Sequence, residues 1–141
     1  MVAIVMNRID SDFGFEALDS NGHRVTTDTS DEDGGHNAGM RPMQLLLASL
    51  GGCSAIDVLS ILNKQRQKVE KFSMTIQGER EVFMVPALWK HIVIHFNLTG
   101  DIEKEKAQKA CKLSIEKYCS VAETLRRAGA TITWDIEITN P

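Results

Sequence analysis

The chain has 141 residues, of which 43% are hydrophobic and 25% are charged. These ordinary globular values exclude wholesale disorder and fibrous classes, and the length predicts a single domain over residues 1–141. Sixteen Lys and Arg against 19 Asp and Glu leave a formal net charge of −3, which argues against nucleic acid as a partner because phosphate backbones attract basic surfaces.

Neither the N-terminus nor the longest apolar run predicts a targeting or membrane segment. Residues 1–8 lack an apolar stretch before a small-residue cleavage site, and Asp10 and Asp12 follow at once, so we expect a cytoplasmic protein. Residues 42–56 are uncharged, but 15 residues fall short of the roughly 20 that cross a bilayer. We therefore expect a buried core helix and no membrane partner.

The first 40 residues predict a small sheet followed by a loop. β-Friendly residues at 2–6, 13–18 and 23–27 indicate a three-stranded antiparallel meander, with Ser20, Asn21 and Gly22 supplying a turn that tolerates positive φ. Residues 28–39 contain four acids and three glycines and no large apolar side chain, which is typical of a loop.

A long apolar helix is predicted next, with Pro42 in its first turn and residues 44–67 free of proline. Apolar residues cover nearly its whole circumference, whereas a surface helix shows a single apolar stripe. A small domain can hardly enclose such a helix, so we expect a second subunit to cover it in a two-fold dimer. Gly51 and Gly52 cost about 1 kcal/mol each relative to Ala, which predicts a close backbone approach or a small cavity beside Cys53.

The second half of the chain completes an α+β domain of order β-β-β-α-β-β-α-α-β. Alternating apolar residues predict strands over residues 72–82 and 92–98, joined by a turn at Pro86, and a closing strand over 131–138. Residues 101–118 predict a helix with Cys111 and Tyr118 on its inward face. Ser120 and Glu123 form a Ser-x-x-Glu capping box, which predicts a separate short helix ending at Gly129.

The three cysteines, Cys53, Cys111 and Cys119, are an odd number without secretory context, so reactive thiols are favoured over a disulfide framework. A free cysteine is often only a small buried hydrophobe, and this reading suits Cys111 on its inward helical stripe. Cys119 directly precedes a predicted helix start, where oriented N–H groups favour a thiolate. Cys53 and Cys119 are therefore more informative as a pair than either is alone.

Metal and cofactor sites are not predicted. His91 and His95 lie on a predicted strand, where four residues span about 13 Å, too far for two ligands of one zinc ion. The chain has no Cys-x-x-Cys, glycine-rich phosphate loop or Gly-x-Ser-x-Gly motif, so zinc-finger, nucleotide-binding and α/β-hydrolase classes have no support.

Two cysteine motifs carry a family resemblance. The first is Pro-Met-Gln-Leu-Leu-Leu-Ala-Ser-Leu-Gly-Gly-Cys-Ser-Ala-Ile-Asp-Val over residues 42–58, and the second is Glu-Lys-Tyr-Cys-Ser-Val-Ala over 116–122, with Cys119 following Cys53 by 66 residues. At this spacing, and with this order of elements, the chain resembles the OsmC/Ohr family of osmotically induced and organic-hydroperoxide-resistance proteins.

The resemblance implies an intertwined homodimer around a long buried central helix, with two active sites at the subunit interface. It implies a thiol-dependent peroxidase in which Cys53 attacks an organic hydroperoxide and Cys119 resolves the sulfenic acid. The reductant is then an external dithiol, and no bound cofactor is expected. An apolar wall of Leu46, Leu50 and Ile56 would suit an alkyl or aryl hydroperoxide.

One departure from the family pattern opens an alternative. Family peroxidases carry a Glu after the helix-opening proline, which pairs with an activating Arg, whereas this chain has Met43. Cys53 is too deep in its helix to feel the helix terminus, so a lowered pKa would require a nearby cation: Arg8, Arg24 or Arg41. The alternative is a non-catalytic module that binds an apolar or thiol-reactive small molecule at the dimer interface.

Overall fold

The computed structural model describes all 141 residues, which divide by backbone contacts into Met1–Leu46 and Leu47–Pro141. The prediction of one domain over the whole chain stays a prediction. The class is mixed α+β, with two three-stranded sheets, one in each unit, as the sequence predicts.

The first unit contains the predicted antiparallel meander, formed by β1 (Val5–Arg8), β2 (Phe15–Leu18) and β3 (Arg24–Thr27). The β2–β3 turn needs Gly22, which has a φ of 85°, because residues with a Cβ rarely adopt that conformation. The Asp19 carboxylate closes the turn by accepting hydrogen bonds from the backbone N–H groups of Asn21 and His23, at 2.9 and 2.8 Å.

The acidic segment after β3 is irregular, as predicted, apart from a short 3-10 turn at Asp31–Asp33. A buried carboxylate organises it. Asp28 accepts hydrogen bonds from the backbone N–H groups of Ala38, Thr29 and His36, at 3.1, 2.8 and 3.1 Å. These donors outweigh the opposing effect of burial and hold the pKa of Asp28 below its ordinary value.

The second unit is built on the sheet β4-β5-β6. The strands β4 (Lys68–Arg80) and β5 (Trp89–Asp101) form an antiparallel hairpin, and β6 (Thr131–Thr139) pairs with β5 in parallel. A parallel pair requires a crossover, which here contains two helices, α2 (Lys104–Leu113) and α3 (Ser120–Arg127). The inward-facing residues of β5 are buried: Ile92, Ile94, Phe96 and Leu98.

The long helix α1 (Pro42–Lys64) begins in the first unit and continues into the second. The two adjacent glycines face opposite surroundings. A Cβ on Gly51 would lie 2.6 Å from Ile76 Cδ1 and 3.2 Å from Met74 Sδ on β4, whereas a Cβ on Gly52 would meet nothing within 4 Å. Gly51 therefore packs against side chains of β4, and the predicted close approach of another backbone is not seen there. Gly52 belongs to an exposed side of α1, where Ile56 is 71% exposed.

The crossover differs from the prediction in two respects. The helix predicted over 101–118 is divided: α2 ends at Leu113, and the next five residues, Ser114–Tyr118, form a π turn. The π turn changes the direction of the last side chains. Cys111 is buried as expected, but Tyr118 is 52% exposed. The predicted capping box is also wrong. Cys119, not Ser120, is the N-cap of α3, and Glu123 pairs with Arg126 and Arg127 at 3.1 and 2.9 Å.

Candidate active site

The structure brings Cys53 and Cys119 together and adds Asp57 to them. Cys53 and Asp57 lie one turn apart on α1, where residues four apart share a face. Cys119 reaches them from the start of α3. The two Sγ atoms and a carboxylate oxygen of Asp57 all lie within 4.8 Å of one another. Two sulfur atoms and one carboxylate therefore share a single half-buried site in the second unit.

Hydrogen bonds around Cys53 favour its thiolate. Burial of the sulfur opposes ionisation, but the Cys119 thiol, the Val121 backbone N–H and the Ser120 hydroxyl donate to it, and the net effect lowers the pKa of Cys53 below its ordinary value of 9.0. The nearby Asp57 carboxylate acts in the opposite direction. Hydrogen-bond donors at the start of α3 thus stabilise the Cys53 thiolate, whereas the sequence predicted that a nearby cation would do so.

Cys119 is in the opposite state. Its side chain is 2% exposed, and its Sγ accepts the backbone N–H of Ala122 at 3.3 Å as the N-cap of α3. Burial and the interaction with Cys53 raise the pKa of Cys119 to about 11. The sequence predicts a helix start that favours the Cys119 thiolate, and the backbone N–H groups of Ala122 and Val121 do lower its pKa, but burial and the interaction with Cys53 outweigh them.

The remaining cysteine, Cys111, lies on the buried face of α2 and is fully inaccessible to solvent. Burial alone raises the pKa of Cys111 to about 12. Cys111 is not part of the group formed by the other two thiols and Asp57. Its position therefore agrees with the expected packing role.

The three candidate arginines have hydrogen-bond partners within the first unit. Arg8 donates to the backbone carbonyls of residues 11 and 12, and Arg24 lies 3.4 Å from the Glu16 carboxylate. Arg41 donates to the Asn37 side chain at 2.8 Å. None of them is among the groups that set the pKa of Cys53.

A cavity of about 590 Å³ adjoins the site at Asp57, which lines it, whereas Cys53 and Cys119 are not among its lining residues. None of the residues of the predicted apolar wall lines it: Leu50 is fully buried in the core, and Leu46 and Ile56 are exposed. Its lining combines polar and apolar side chains from α1 and from the end of the α2 segment: Asp57, Ser60, Ile61, Lys64, Gln65, Leu113 and Tyr118.

Asp57, Ser114 and Ser120 are site residues that the sequence analysis missed. Asp57 carried a usable signal, because it is the first charged residue of α1 and lies four residues after Cys53. Ser114 donates its hydroxyl to the Asp57 carboxylate at 3.1 Å, a contact formed through the π turn, which no sequence pattern announced. Elsewhere, His95 pairs with Asp135 on β6 at 2.8 Å and belongs to the strand surface, as predicted.

The family and the fold are shown by comparison with known proteins. A family model described as OsmC-like protein matches residues 34–135, so the chain belongs to the OsmC-like family. It is similar to Protein YhfA of Escherichia coli strain K12, with 40% identity over 120 residues, 84% of this chain and 85% of that protein.

Solved structures match the chain over nearly its whole length. A hypothetical protein from Aquifex aeolicus VF5 has a TM-score of 0.81 at 30% identity, over 99% of this chain and 98% of that chain. An organic hydroperoxide resistance protein OsmC from Legionella pneumophila has a TM-score of 0.67 at 16% identity, over 97% and 96%. By length and composition α1 could cross a membrane. Because solved structures of this fold match the chain over nearly its whole length, α1 is one of the helices of that fold rather than a membrane span.

Proposed function

We propose that the chain is a thiol-dependent peroxidase that reduces organic hydroperoxides through Cys53 and Cys119. One observation carries the proposal: a cysteine with a lowered pKa lies within 4.8 Å of a second thiol that is held protonated. The attacking cysteine needs thiolate character, and the resolving cysteine needs to lie close enough to reach the resulting sulfenic acid. The OsmC-like family and the fold shared with organic hydroperoxide resistance proteins support a redox or oxidative-stress role.

The first step oxidises Cys53. Its thiolate attacks the distal oxygen of the hydroperoxide, the O–O bond breaks, and the two-electron transfer yields a sulfenic acid and an alkoxide, which takes up a proton and leaves as the alcohol. The alkyl part of the substrate can occupy the adjacent cavity, where Ile61, Leu113 and Tyr118 offer apolar contacts. No bound metal or cofactor takes part in this step.

The second step follows from how the thiols influence each other. Besides burial, the interaction with Cys53 helps to raise the pKa of Cys119, so conversion of Cys53 to a neutral sulfenic acid relieves part of that effect. Cys119 then ionises more readily, attacks the Cys53 sulfur and releases the sulfenic oxygen as water, with a proton from the site. An external dithiol reduces the resulting disulfide by exchange.

The exposed side of α1 supports a homodimer as the working form. A Cβ at Gly52 would meet no atom of this chain within 4 Å, and Ile56 is 71% exposed. Since a mid-helix glycine costs about 1 kcal/mol relative to Ala, contacts within one chain do not explain Gly52. A second copy packed along this side would use both residues. Sedimentation of the purified chain should show twice its mass of 15.7 kDa, and a stable folded monomer at micromolar concentration would contradict the dimer.

The cytoplasm keeps thiols reduced and therefore suits a peroxidase that works through two free thiols.

The test measures hydroperoxide consumption and the state of each thiol. With cumene hydroperoxide and a dithiol, the wild-type protein should turn over, and Cys53→Ser should not. Cys119→Ser should react once and stall as a sulfenic acid, detected by mass spectrometry as one added oxygen or a dimedone adduct. Serine is a preferred N-cap residue, so this variant should keep α3 intact. Cys111→Ala is the matched control and should retain turnover.

A non-catalytic binding module is the second candidate, and Met43 in place of the family Glu favours it. In that case the cavity beside the thiols would hold an apolar or thiol-reactive molecule without peroxide chemistry. Oxidation of neither thiol by excess organic hydroperoxide, together with saturable binding of an apolar fluorescent probe at the cavity, would establish this candidate over the peroxidase.

A further inference from the structure

Cys53, Asp57 and Cys119 form a ligand set as well as a redox pair. Two thiolates and one carboxylate are donor groups that zinc and cadmium accept. Cys53 and Asp57 are four residues apart on α1, a spacing that places both on one helical face, and Cys119 is contributed by α3. The three residues are partly or fully buried rather than spread over a solvated surface.

The observed spacing is close to what a single ion requires. A tetrahedral zinc ion with Zn–S bonds of about 2.3 Å holds two sulfur atoms about 3.8 Å apart. The three donor atoms already lie within 4.8 Å of one another, so each pair needs to close by at most about 1 Å. Small side-chain rotations supply such a shift, and the backbone of the two helices need not move.

Two further contacts suit a metal centre. The Ser114 hydroxyl donates to the Asp57 carboxylate at 3.1 Å, which orients the carboxylate as supporting hydrogen bonds commonly do at metal sites. Asp57 also lines the cavity of about 590 Å³, so an ion can reach the carboxylate from solvent, and a fourth, exchangeable ligand has room on that side.

We propose that Cys53, Asp57 and Cys119 bind one thiophilic divalent cation, of the Zn²⁺ or Cd²⁺ class, with the fourth position open to solvent. Binding forms two metal–sulfur bonds and one metal–oxygen bond and releases to solvent the proton of each thiol that was protonated. No oxidation state changes. A metal-bound Cys53 cannot attack a hydroperoxide, so the ion and the oxidant compete for the same sulfur.

The test uses Cd²⁺ alone, titrated into the reduced full-length chain, because sulfur-to-cadmium charge transfer produces an ultraviolet absorption band that reports thiolate ligation. We expect one ion per chain and protection of Cys53 from iodoacetamide that a chelator reverses. Cys119→Ser should halve the band and weaken binding, and Ser114→Ala should weaken binding about tenfold. Cys111→Ser, the matched control, should leave both unchanged.

Asp57→Asn separates ligation from an indirect charge effect on the thiols. Asp57 opposes ionisation of Cys53, so if it acted only through the thiol, the Asn variant would have a more reactive Cys53 and would bind Cd²⁺ at least as well. If Asp57 is a ligand, Asp57→Asn should bind Cd²⁺ at least tenfold more weakly, because loss of a contact that only supports a ligand already costs about tenfold in affinity. Unchanged binding in Asp57→Asn or Cys119→Ser would overturn the proposal. The peroxidase assay, run with a chelator, would be unaffected by that result.

Discussion

The difference in ionisation between the two site thiols predicts a large difference in their alkylation rates. Iodoacetamide reacts with the thiolate. The pKa of Cys119 is raised to about 11 from an ordinary value of 9.0, so near neutral pH its thiolate fraction falls about 100-fold below that of an ordinary thiol. The pKa of Cys53 is shifted in the other direction. A more basic thiolate is intrinsically more nucleophilic, which offsets part of the difference in thiolate fraction, so Cys53 should be labelled at least about ten times faster than Cys119.

The measurement is a short iodoacetamide pulse on the reduced native protein, followed by digestion and quantification of each cysteine peptide. The same pulse in denaturant is the control, since all thiols then take ordinary pKa values and should label at similar rates. Cys111, with a pKa raised to about 12, should be the slowest in the native protein. Labelling of Cys119 before Cys53, or at an equal rate, would refute the assignment of the attacking thiol.

Four further predictions concern packing and charge. Gly51→Ala should leave the free energy of unfolding within about 1 kcal/mol of the wild type in urea titrations, because the Cβ would meet only the flexible ends of Ile76 and Met74, and the cost of moving them is offset by a helix-propensity gain of about 1 kcal/mol. Gly52→Ala should instead weaken dimerisation, since a Cβ there would meet nothing within the chain at 4 Å. Phe96→Ala, at a fully buried position, should cost about 3–5 kcal/mol in the same assay. Asp12 raises the pKa of His36, so their pairing stabilises the first unit below the ordinary pKa of 6.5 and is lost as pH rises through the folded pKa; NMR titration should give a lower His36 pKa in Asp12→Asn.

Most of the fold could be predicted because its elements have clear periodic patterns. Apolar and polar residues alternate along β5 and β6, which predicts strands, and a proline at the start of a long apolar run predicts α1. Hydrophobic burial then turns the apolar faces of the strands inward. The start of α3 was misplaced by one residue because Ser120 and Glu123 match a capping pattern, whereas cysteine is not among the preferred N-cap residues. The π turn was missed because its residues continue the apolar period of α2 without a visible interruption.

The candidate site was predicted in its thiols but not in its electrostatics. A resemblance of motifs can pair Cys53 with Cys119, since the motifs include both residues. The donors that lower the pKa of Cys53 come from Cys119, Val121 and Ser120, and their approach to α1 depends on how the crossover packs. Such a tertiary contact between segments more than 60 residues apart leaves no local pattern in either one.

The N-cap of α3 links helix stability to thiol redox state. Cys119 Sγ accepts the Ala122 N–H in the dithiol form, and the proposed disulfide with Cys53 would break this contact if its formation rotates the Cys119 side chain. Loss of an N-cap contact costs about 1 kcal/mol, which corresponds to about 20 mV for a two-electron couple. In that case the N-cap contact would stabilise the reduced protein relative to the disulfide form, and faster exchange of the Ala122 amide hydrogen would report oxidation.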